Sequence, residues 1–111
     1  MAITPLILNE AMCVYVQTFP MRDRLAQHIA RRGLEQRKDE IVAELDAVLK
    51  TTEDHLWDYP GGAPWTKEFK SAYRALLVEK HPWMDSRSLD RVFAFSHWLC
   101  WHEGLNARGV I

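Results

Sequence analysis

Four residues able to bind zinc fall in one short run near the C-terminus: His97, Cys100, His102 and Glu103, in the order His-Trp-Leu-Cys-Trp-His-Glu. Imidazole, thiolate and carboxylate are the ligands zinc takes, and it gathers four of them in a tetrahedron. On a helix, at about 100° per residue, His97 and Cys100 point about 60° apart, whereas His102 lies about 140° from His97. One ion does not reach all three, and the i, i+4 histidine pair of the helical zinc proteases is missing. The residues therefore read as no metal site, with Cys100 in the core and the histidines on a polar face.

The other chemistries open to these residue types fare no better. A nucleophilic cysteine needs a neighbouring base in an electropositive, partly open setting. Cys100 is one turn from His97 but belongs to an apolar helical stripe, and Cys13 is equally enclosed by apolar neighbours, so both read as small core side chains in a reducing compartment. Asp54 and Asp58 share a helix face with His55 nearby, a pattern that acidic helix ends produce without catalysis. Gly61-Gly62 lacks the lysine and preceding strand of a phosphate loop. No residue is assigned a catalytic role, no cofactor is implied, and a non-enzymatic protein is expected.

What remains is aromatic. The segment Ser86 to Asn106 places Leu89, Val92, Phe93, Ser96, Leu99 and Cys100 on one arc of a helical wheel, as a core-facing stripe should. The opposite arc carries Asp90, Arg91, His97 and His102, and with them Trp98 and Trp101. Two tryptophans rimmed by charge have the composition of an interface anchor, and monomers seldom leave such surface bare. The expected binding residues are Trp98 and Trp101 as anchors, Arg91, His97 and His102 around them, and Tyr59 and Trp65 flanking the loop Tyr-Pro-Gly-Gly-Ala-Pro. The competing expectation buries all five tryptophans in an aromatic core.

The elements that must position these residues are helices. Leu8, Ala11, Met12, Tyr15 and Phe19 form one stripe, broken at Pro20; Leu25 and Ile29 form a second, stopped by Gly33. Ile41, Leu45, Val48, Leu49, Thr52 and Leu56 form the clearest stripe, with a bend conceivable at Thr51. Thr66 caps a helix burying Phe69, Tyr73, Leu76 and Leu77, and Asp85 caps the last one, with Met84 and Leu89 as its hydrophobic staple. Nothing alternates with period two. The expectation is an all-α fold of about five helices in a compact orthogonal or bundle-like array, the C-terminal helix central, in one domain spanning residues 1–111.

Composition narrows the partner. With 111 residues, 48% hydrophobic and 26% charged, the chain can bury a core of its own. A net charge of −1 gives no bulk drive toward nucleic acid or anionic lipid. Residues 22–38 nonetheless carry a net +4 and residues 39–58 a net −6, two blocks expected to face each other across a helix pair. Lys67, Lys70 and Arg74 line one helix face ahead of a short turn, the outline of a helix-turn-helix, but the following helix offers Phe93, Phe95, Trp98 and Trp101 where a reader of bases needs basic and amide groups. The N-terminal apolar stretch is too short to span a bilayer and lacks the basic start of a signal peptide. The expectation is a small cytoplasmic interaction module, a regulator, adaptor or inhibitor that binds a protein partner or itself as a homodimer, with neither membrane nor nucleic acid as partner. Its alternatives are a small-molecule-binding or catalytic helical domain with an aromatic pocket lined by Trp57, Tyr59, Trp65 and His97, or a nucleic-acid-binding helical domain.

Overall fold

Each break between helices is made by groups that satisfy the carbonyls and amides a helix end leaves unpaired. In the computed structural model, which describes residues 4–17, 20–58 and 65–102 with the side chains of 100–102 left out, five α-helices account for most of the chain described. Helix α1, Pro5–Tyr15, starts with Thr4, whose Oγ1 accepts from the Ile7 amide at 3.3 Å, and with proline in its first turn, where no amide is needed. It ends four residues before the expected Phe19. Val16 turns extended, its amide still reaching Met12, while the Gln17 side chain donates to the Cys13 carbonyl and the Met21 amide to that of Tyr15. A single bridge between Val16 and Pro20 closes this turn, and Val16 becomes fully buried.

Helix α2, Arg22–Arg31, buries Leu25 and Ile29. It stops as expected at Gly33, whose φ of +68° suits glycine, and the Leu34 amide reaches back to Ile29 at 3.0 Å. A 3₁₀ turn, Glu35–Arg37, then leads into α3, Lys38–Trp57, which buries the six residues of the expected stripe. The helix is not interrupted at Thr51: the hydroxyl donates to the Ala47 carbonyl at 3.0 Å and α3 runs through to Trp57.

Helix α4, Lys67–Lys80, is capped by Thr66, which accepts from the Phe69 amide at 3.1 Å; Phe69, Tyr73 and Leu77 are buried and Leu76 is half-buried. Helix α5, Ser86–His102, is capped by Asp85 through the Ser88 amide at 3.0 Å, with Met84 and Leu89 both buried. The protein is all-α, with no strand among the described residues. Helix α5 lies against both α1 and α3; α2 packs on α1, and α4 on α3. No described helix is long and apolar enough to cross a membrane.

The charge blocks meet less than their totals suggest. Arg22 reaches Asp46 at 3.5 Å across α2 and α3, but Arg37 pairs with Glu40 within its own turn, and Arg32 turns to Glu10 on α1. All are solvent-exposed pairs, screened by water and of little weight in stability.

Candidate functional site

The aromatic side chains of α3, α4 and α5 form one connected cluster built around Tyr73. Fully buried, Tyr73 lies 5.2 Å from the Phe93 ring, 5.9 Å from Phe69 and 4.9 Å from the nearly parallel ring of His55. Its hydroxyl donates to Thr52 Oγ1 at 2.9 Å and shares a 2.7 Å hydrogen bond with Ser96 Oγ, which also bonds the Val92 carbonyl. One side chain thus ties three helices together, and buried Thr52 and Ser96 are satisfied by it.

The cluster reaches the surface at Trp65 and His97. Their rings stack with centroids 3.8 Å apart, and Trp65 meets Phe69 edge-on at 5.2 Å. Trp65 has φ of +51°, the only positive φ at a non-glycine position among the described residues. For so bulky a side chain that backbone costs about 1–3 kcal/mol and persists only where its surroundings over-determine it. Here the His97 face and the Phe69 edge do so. Burial of the stacked face, and then the Lys70 charge, hold the His97 imidazole below its ordinary range.

On α5, buried Ser88, Leu89, Val92, Phe95, Ser96 and Leu99 set the inner face. Phe95 replaces Phe93 as the core aromatic: the stripe is turned by part of a residue from the one expected, and Phe93 is left half-buried on the α4 side. The outer strip is exposed Arg87, Asp90, Ala94 and His97, spaced by three and four residues. Trp98 stands beside that strip, half-buried and packed on the core, its ring 6.1 Å from Phe95, over a groove of about 580 Å³ whose walls include Leu49, Lys50 and Glu53 of α3. Arg91, also half-buried, donates to Gln17 at 3.4 Å and so faces α1. Of the expected set, then, the structure brings His97 and Trp65 together and sets Trp98 and Arg91 off the outer strip of α5. Tyr59 and the side chains of Trp101 and His102 lie outside the described residues.

A second group of chemistry-bearing residues lies in a cleft of about 530 Å³ between α3 and α4; the sequence pointed to its Asp54, Asp58 and His55 but not to His81. His81 is buried with Nε2 2.9 Å from Thr51 Oγ1; because that hydroxyl donates to Ala47, His81 Nε2 is the donor. His55 lines the same cleft, as do Asp58 and the pair Lys50–Asp54, 3.1 Å apart. Burial holds both imidazoles below the ordinary range, against the opposing charges of Asp58 on His55 and Glu44 on His81. Thr52 and Ser96, polar residues at core positions of regular stripes, were the signal that a buried hydrogen-bonding hub such as Tyr73 had to exist.

Among the described residues no group of three or more His, Cys, Asp or Glu side chains is placed to hold a metal ion, and Cys13 is a buried thiol. Trp65 and His97 are in ring contact, leaving no slot between them for a ligand. Lys67, Lys70 and Arg74 are exposed on α4, with Arg74 donating to Ser86 at 3.3 Å. No family model, no curated protein and no solved structure matches this chain.

Proposed function

We propose that this chain is a non-enzymatic protein-interaction module of the cytoplasm, a regulator, adaptor or inhibitor, and that the outer strip of α5 with its aromatic flanks is its recognition face. The observation that carries the reading is Trp65, a bulky residue held in left-handed backbone with its ring stacked on exposed His97. Local strain of this kind concentrates at functional positions. Exposed Ala94 in the middle of the strip lets another backbone approach closely, while Trp65 and Trp98 on either side supply apolar area and Asp90 and Arg87 a charged rim. Among the described residues the exposed large apolar side chains, Leu6, Trp57 and Val78, stand one each on α1, α3 and α4.

The partner is a protein surface, another chain or a second copy of this one. Ala94→Arg adds a long cation at an exposed helical position, so helix content should be unchanged and the unfolding free energy should stay within about 0.5 kcal/mol of the parent. Its association, followed by sedimentation velocity and by co-purification from the native host, should fall at least tenfold. Association that survives Ala94→Arg unchanged removes α5 as the recognition face.

A further inference from the structure

Helix α4 is the least anchored of the three helices that share the aromatic cluster, and histidines make a large part of its attachment. It buries three side chains, whereas α3 and the described part of α5 each bury six. His55 of α3 lies against the rings of Phe69 and Tyr73 at 5.6 and 4.9 Å, both within 25° of parallel. At the end of α4, His81 is 8% exposed and donates to Thr51 of α3. His97 of α5 stacks on Trp65, which precedes the helix and meets Phe69.

We propose that α4 is an acid-releasable element: protonation of His55, His81 and His97 frees Lys67–Lys80 from α3 and α5 and uncovers the aromatic cluster, while α1, α2 and α3 stay packed. Desolvation disfavours a charge at each imidazole, and the surrounding groups do not reverse it. Asp58 draws a proton to His55, with the Lys50–Asp54 pair and Lys80 across the cleft; Glu44 draws one to His81 while Lys80 repels it; Lys70 repels one from His97. The faces of Phe69, Tyr73 and Trp65 offset part of the cost by attracting a cation, yet all three groups sit below 6.5. Once α4 detaches, the imidazoles regain water and their ordinary affinity for protons, so acid favours the detached state. Each histidine contributes at most about a tenfold change in that equilibrium per pH unit.

Hydrogen exchange of the full chain, read by mass spectrometry at pH 7.5, 6.5 and 5.5 and corrected for the intrinsic pH dependence of exchange, tests this directly. The expected result is a loss of protection of tenfold or more across Lys67–Lys80 between pH 7.5 and 5.5, with α1 and α2 remaining the better protected at every pH. Unchanged protection of α4, or an α4 as well protected as α1 and α2 at pH 5.5, overturns the proposal. A control is His28→Asn on α2, which contacts Glu10 at 3.4 Å and should keep the full response. If the combined variant His55→Phe, His81→Asn and His97→Phe folds and still shows the full acid response, the histidines are not the cause.

Discussion

Asn9 shows how much one polar residue on an apolar stripe can do. Its side-chain amide donates to the carbonyls of Pro5 at 2.8 Å and Trp83 at 2.7 Å, and its oxygen accepts from the Asp85 amide at 2.9 Å and the Ser88 hydroxyl at 2.6 Å. All four capacities are filled, and the start of α5 is thereby fixed to α1. Asn9→Leu leaves buried donors and acceptors unpaired, and should cost about 2–4 kcal/mol, seen as a lower urea midpoint at constant slope. In the sequence Asn9 is legible only as an interruption of an apolar run; nothing local says that three of its four partners lie more than 70 residues away. The same holds for Tyr73, whose ring the stripe places in the core but whose two hydroxyl partners come from other helices. The candidate site was partly legible for the same reason. Position on a polar helix face marked His97 as a candidate, and its place beside a glycine-rich loop marked Trp65, whereas their stacking, and the meeting of His55 with His81 in one cleft, depend on how three helices cross.

At the scale of elements, periodicity and caps carried most of the information. The six buried residues of α3 are those its spacing requires, and Gly33, Thr66 and Asp85 end or start helices where their chemistry allows. Gly33→Ala is a clean test: a Cβ there meets nothing within 4 Å, so the cost is that of the left-handed backbone alone, about 1 kcal/mol. Thermal melting should drop by a few degrees, roughly 4 °C, with no change in helix content. Two features escaped. Helix α1 ends at Tyr15 because the return through Pro20 offers its carbonyls better partners than another turn would, and that return is a tertiary event. The buried arc of α5 is shifted because α1 and α3 press on it together and draw Phe95 inward.

For the whole molecule, three lowered histidines fix the sign of the pH dependence. The unfolded chain binds protons at these sites more readily than the folded one, so stability is fully present above about 6.5 and declines as pH falls through that value toward the folded-state values. Guanidinium unfolding at pH 7.5 and 5.5 should therefore give a lower midpoint in acid, and an equal or higher midpoint would mean that the imidazoles are not held neutral. The central claim, that α5 meets another protein through its outer strip, is tested most directly by a photo-cross-linking residue placed at position 94 in the native host. A discrete adduct at 94, absent when the same group replaces exposed Arg24 on α2, is the predicted result. No adduct at 94, or the same adduct from both positions, would contradict it.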